Sequence, residues 1–180
     1  MSNFGQIIFI QQYKKITYYS IAINSEDALY DQFLERHTDE NNNKLNHILS
    51  WLKELGDKVG AHDQYFRNEA ETGDARALPP IGKNRKPVYV EYSEATKENV
   101  NTPNNLRLYC LRANEAVVFL FNGDIKTKQY PQDCGNVREH FKIANLLSKL
   151  LDQAFINKDI EWNEDWTDII VDDDFVLEWD

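Results

Sequence analysis

A chain of 180 residues fits one domain, or one domain with an extension, and its 42% hydrophobic content with four Trp suffices for a packed core, which excludes wholesale disorder. No run approaches the roughly 18 uninterrupted apolar residues of a membrane helix, and the start, Met1-Ser-Asn-Phe-Gly5, has neither a basic n-region nor an apolar h-region, so neither a membrane anchor nor a signal peptide is expected. The formal charge of −10 argues against a polyanionic partner, but only if charge is spread evenly, and it is not. Residues 158–180 hold ten acids against one base and carry −9, whereas residues 83–149 hold eleven bases against seven acids and carry +4. Screening confines a docking polyanion to charges within roughly 8–10 Å at physiological salt, so the local field decides. The two cysteines, Cys110 and Cys134, form no CxxC and read as reduced thiols, which places the chain in the cytosol as an expectation.

Taken in chain order, residues 6–12 and 17–23 are rich in β-branched and aromatic side chains and read as strands of a hairpin turning at Tyr13-Lys14-Lys15. Ser25 reads as the cap of a helix whose first turn holds Glu26 and Asp27, with Leu29, Phe33 and Leu34 as its apolar stripe. After a polar break at 37–43, Leu45, Ile48, Leu49, Leu52 and Leu55 fall at helical spacing, with Gly56 in the stop position. Two such helices joined by a polar turn predict an antiparallel helical hairpin. Gly73, Pro79-Pro80, Gly82 and Pro87 predict a loop over 70–87, and 93–105 is polar enough to read as another, with a strand at 88–92 between them. Leu106–Arg112 and Ala116–Asn122 are apolar at nearly every position, as expected of central strands covered on both faces. Asn114 between them suits the positive φ of a tight turn. Ile125–Lys128 could continue the sheet. Val137, Phe141, Ala144, Leu147, Leu151 and Ala154 predict a long amphipathic helix ending near Phe155.

Alternate side chains of a strand share a face, so Arg107 and Tyr109 point the same way, as do Lys126 and Lys128. A guanidinium, a phenol and two ammonium groups gathered at one place would suit a phosphodiester, cations neutralising oxygen charge and the ring supporting a base. The competing reading leaves Arg107 in an ion pair, Tyr109 in the core and the lysines on a solvated edge. His140, inside the expected helix, reads as a solvated or capping residue rather than a general base. No HExxH, P-loop, GxGxxG or GxSxG motif occurs, and Asp172-Asp173-Asp174 lacks the spacing of a calcium loop, so no metal or nucleotide cofactor is expected.

The runs Leu106-Arg-Leu-Tyr-Cys-Leu-Arg112, Glu115-Ala-Val-Val-Phe-Leu-Phe121 and Ile125-Lys-Thr-Lys-Gln-Tyr-Pro131, with Leu52-Lys-Glu-Leu-Gly-Asp-Lys-Val-Gly60 before them, resemble the HigB-like branch of the RelE/ParE toxin superfamily over about residues 45–155. The resemblance implies an α+β fold, with a RelE-like antiparallel sheet, an N-terminal helical hairpin and a C-terminal helix in residues 1–157. An acidic, aromatic extension would follow at 158–180. It implies a type II toxin that cuts mRNA on the ribosome through 2′-hydroxyl attack without metal, held in check by a cognate antitoxin. Arg107, Lys126, Lys128 and Tyr130 would be its catalytic residues. Tyr109, Arg112, Lys83, Arg85 and Lys86 would contact RNA. The acidic total favours a different member of the same scaffold, a non-catalytic binding or regulatory protein, and a ParE-like toxin acting on a protein target is a third possibility. The tail, with Trp162, Trp166, Phe175 and Trp179 among its acids, reads either as a strand pair covering a sheet face or as an internal nucleic-acid mimic laid over the +4 segment.

Overall fold

The structure is a computed structural model that describes residues 1–70, 73–82 and 84–180. Strands β1 (Asn3–Gln12) and β2 (Thr17–Ile23) form the expected hairpin, closed where the Tyr13 N–H donates to the Ile16 carbonyl at 2.8 Å. Helix α1 (Leu29–His37) starts three residues later than its sequence suggests. Asn24 and Ser25 both take positive φ, so Ser25 belongs to the turn leaving β2. The free N–H of Tyr30 in the first helical turn donates instead to the Ser20 hydroxyl of β2 at 3.1 Å, which caps the helix from across the chain. Helix α2 (Asn42–Glu54) runs on into one wide turn, Leu55–Val59, that stops at Gly60 with φ 91°.

Two strands lie in stretches expected to be loops. β3 (Arg76–Leu78) is only three residues long and is held by antiparallel pairing to β6 (Leu108–Arg112). Between β3 and β6, β4 (Val90–Ser93), near the expected strand at 88–92, and β5 (Glu98–Asn101), the second strand in an expected loop, make a mostly exposed hairpin whose polar sequence reflects that exposure. β7 (Val117–Leu120) follows β6 after a turn at Asn114. Asn114 does not use positive φ there; its side-chain oxygen accepts the N–H groups of Ala116 and Val117 at 2.8 Å each. Beyond β7, Ile125 makes a single bridge to Leu106 rather than a continuing strand. Helix α3 (Arg138–Ile156) falls where periodicity places it.

The main sheet has the order β10-β1-β2-β7-β6-β3, where β10 (Val176–Trp179) is the last strand of the chain. β2 and β7 run parallel, Thr17 opposite Val117 through Ser20 opposite Leu120, so the sheet is mixed and not wholly antiparallel. The long helical excursion between these strands is what permits the parallel crossover. One face carries Tyr19, Ile21, Tyr109, Leu111 and Phe119 against Phe141, Ala144, Leu147 and Leu151 of α3. The opposite face carries Tyr18, Leu108, Cys110 and Leu120 against Phe33 of α1 and Ile48 and Leu52 of α2. β6 and β7 are therefore buried on both sides, in keeping with their unbroken apolar sequence.

The acidic tail resolves in favour of strands. β8 (Ile160–Trp162) and β9 (Ile169–Val171) pair and bury Ile160 and Ile169 in the α3-side core, and β10 adds Leu177 to that core while it pairs with β1. Among the described residues no carboxylate of 158–180 forms an ion pair, so these acids are not laid on the cations of the +4 segment. Both cysteines are free and buried. Among the described residues no helix is long and apolar enough to cross a membrane, and no group of His, Cys, Asp and Glu is placed to hold a metal ion.

Candidate functional site

Arg107 and Tyr109 face α3, as strand alternation requires. The segment after β7 passes so close to Arg107 that the Arg107 N–H donates to the Asp124 carbonyl at 3.0 Å and the Lys126 N–H to the Asn105 carbonyl at 2.8 Å. Gly123 makes this approach possible, because a Cβ there would lie 1.8 Å from the Arg107 carbonyl oxygen. The close passage brings Lys126 to Arg107, and both cations meet one carboxylate, Glu69. Arg107 Nε donates to Glu69 Oε1 at 2.7 Å and Lys126 Nζ to Glu69 Oε2, while Arg107 Nη1 donates to the carbonyls of Asn104 at 2.6 Å and Leu106 at 3.2 Å. The side chains of Arg107, Lys126 and Glu69 are 9%, 11% and 5% exposed. The cluster is a closed, desolvated ion triad.

Tyr109 lies fully buried beside it, its ring 5.4 Å from that of Phe141. Its hydroxyl has no hydrogen-bond partner among the described residues. Burial, reinforced by the Glu69 charge and opposed by Arg107, pushes the phenol far above its ordinary pKa, so it stays protonated. No base can stack on this ring.

The remaining expected site residues scatter. Lys128 and Tyr130 are exposed, beyond the triad. Arg112 belongs to the opposite face of β6, where its Nε donates to the Ala61 carbonyl. Arg85 donates to the Gln64 carbonyl at 3.1 Å and lies over the Tyr65 ring at 5.0 Å. Lys86 is exposed, and Lys83 lies outside the described residues. Arg107 and Lys126 are thus the two expected residues that come together.

Three features escaped the sequence. Glu69 is the first; it stands 38 residues from Arg107 and 57 from Lys126, and no local pattern marks it. The second is an open groove of about 940 Å³ along α3, where Tyr130, Arg138, Lys142 and Lys149 stand with one carboxylate among the described residues, Asp74. Its signal was present, since positions 138, 142 and 149 fall on one helical face. The third is a junction of α1 with α3. Arg36 Nη1 donates to Asn122 Oδ1 and the Gly123 carbonyl, each at 3.1 Å, and to His140 Nε2 at 3.2 Å. A guanidinium only donates, so His140 is the neutral Nδ1–H tautomer, and burial together with Arg36 lowers its pKa. Its free lone pair is taken by Arg36, which disqualifies it as a poised base. No protein-family model matches the chain, and neither a curated protein nor a solved structure does so.

Proposed function

We propose that this chain is a non-catalytic binding protein on a RelE-like scaffold, with the α1–α2 pair as its helical hairpin, and that it engages an RNA backbone along the α3 groove. One observation carries the reading. The two cations expected to hold a scissile phosphate, Arg107 and Lys126, are already both paired with the buried carboxylate of Glu69. A phosphate would have to displace that carboxylate and enter a nearly dry site. Catalysis through an oxyanion needs donors aimed at empty space, and here the space is filled. The α3 groove differs: its three cations remain in water beside the 41%-exposed ring of Tyr130, a combination of point charges and a stacking platform.

The binding test is fluorescence anisotropy with a labelled single-stranded RNA of about 12 nucleotides. Three backbone contacts predict a slope of about −2 in log affinity against log salt. The double variant Lys142→Glu, Lys149→Glu should weaken binding by about tenfold or more and flatten that slope. Absence of binding at low salt would remove the reading.

A second reading has its own support. Arg107 and Lys126 converge on a carboxylate roughly the size of a phosphate, so Glu69 could hold the place of the substrate in a ribosome-dependent toxin of the type II class. Expression of the wild type, Glu69→Gln and Arg107→Ala separates the two. Growth arrest with mapped mRNA cleavage, relieved by Arg107→Ala, favours the toxin and its antitoxin partner; a harmless protein in all three cases favours the binding reading.

A further inference from the structure

Arg67 is a partly buried cation two residues before Glu69. It sits beside Arg107 and Glu69, close enough for both charges to act on it, yet it makes no ion pair among the described residues. Glu69, whose charge acts on it, is already shared between Arg107 and Lys126, so among the described residues three cations share one anion. An unbalanced buried charge is costly unless a counter-charge arrives. Burial, with Arg107 adding to it and Glu69 opposing, draws the guanidinium pKa down to about 10. Arg67 Nε and Nη2 donate to the carbonyls of Pro79 and Pro80, and Nη1 makes no hydrogen bond to a described residue.

The same guanidinium lines a cleft of about 360 Å³ walled by Trp51, Tyr89, His47, Pro79 and Pro80. That volume suits a small organic molecule. The His47 ring is fixed: Nε2–H donates to the Pro87 carbonyl at 3.0 Å, Nδ1 accepts from Asn104 Nδ2 at 3.0 Å, and the ring packs 5.4 Å from Tyr89. With both nitrogens engaged, it offers the cleft a flat, neutral surface. Trp51 is 2% exposed and held against Tyr65. The walls are therefore largely aromatic and apolar and carry two cations, Arg67 and Arg85, of which Arg85 is engaged by the Gln64 carbonyl and the Tyr65 ring. The cleft shares no residue with the α3 groove.

We infer that this cleft is a binding site for a small aromatic anion, its ring held among Trp51, Tyr89, His47 and the prolines and its carboxylate or phosphate paired with Arg67. The anion supplies the counter-charge that Glu69 cannot, and it meets a guanidinium that is already partly buried.

Two-dimensional ¹⁵N–¹H NMR on the full chain tests this with three probes: 2-naphthoate, the neutral 2-naphthamide, and inorganic phosphate. Naphthoate should bind about tenfold more tightly than naphthamide, the worth of one charge-assisted hydrogen bond. It should shift the Trp51 indole N–H and the amides of Tyr89 and Asn104. Arg67→Met should remove the preference for the acid. Val88→Glu places a carboxylate on an exposed position of the cleft wall, so it keeps the assay independent of any folding defect in Arg67→Met. It should weaken naphthoate and leave naphthamide unchanged. Equal affinity for acid and amide, shifts confined to other surfaces, or phosphate binding as tightly as naphthoate would each overturn the inference.

Discussion

The Glu69–Arg107–Lys126 triad and the α3 groove are built from the same kinds of side chain, and they stand in opposite states. In the triad the cations project from the sheet and the segment beside it into the space between layers, where 5–11% exposure leaves water no part in solvating them. A counter-charge there has to come from the chain itself, and Glu69 supplies one that both cations share. In the groove the cations project from the outer face of a helix, where solvent screens them and no carboxylate need be supplied. Local geometry, strand interior against helix exterior, thus decides whether an arginine or lysine remains available to a partner.

The contrast can be broken most severely at Glu69. Glu69→Ala leaves Arg107 and Lys126 buried without a counter-charge and should lower the unfolding free energy by about 3–5 kcal/mol in urea denaturation. A loss below about 1 kcal/mol would mean that the triad is hydrated and open. The Arg36–His140 junction sharpens the comparison through pH. Burial lowers the pKa of His37, with Arg36 adding to this and the Gly123 carbonyl and Asp124 opposing, and burial with Arg36 lowers that of His140. Both are neutral in the folded state, so stability is complete above the unfolded value of roughly 6.5 and falls as acidification protonates the unfolded chain, until the lower folded pKa values are passed. Denaturation midpoints at pH 7.5 and below 6 should show this fall, and His37→Gln should reduce its slope; an unchanged slope would mean that His37 titrates alike folded and unfolded.

Smaller effects follow. Tyr109→Phe removes a buried hydroxyl that bonds to nothing among the described residues, so stability should hold or rise by about 1 kcal/mol. A loss would reveal a bond made by that hydroxyl. Smallest of all, Lys142→Ala and Lys149→Ala should each stay within about 0.5 kcal/mol of wild type by the same denaturation assay, because nothing internal depends on them.

Much of this arrangement is readable before folding, and the exceptions share a cause. The β1–β2 hairpin, the doubly covered β6 and β7 and the limits of α3 follow from periodicity, since apolar spacing records which sides of an element are buried. β3 escapes because three residues between glycine and a proline pair hold no period, and their pairing partner lies more than thirty positions away. Ser25 misleads because the cap of α1 comes from Ser20, on a strand that only the folded chain sets beside the helix. For the site, residue type and the family resemblance group Arg107 with Lys126, but neither points to Glu69, the carboxylate they share.

The amino-acid order alone determined an α+β domain with two covered central strands, an amphipathic terminal helix and a cation-bearing segment beside an acidic one. Tertiary structure decided that β2 and β7 run parallel, that the last strand pairs with β1, and that Glu69 is shared by Arg107 and Lys126 while Arg67 makes no ion pair among the described residues. The division has a physical origin. Burial is a property of one element and leaves its mark at short spacing, whereas charge balance and strand order are set by groups that become neighbours only when the layers close.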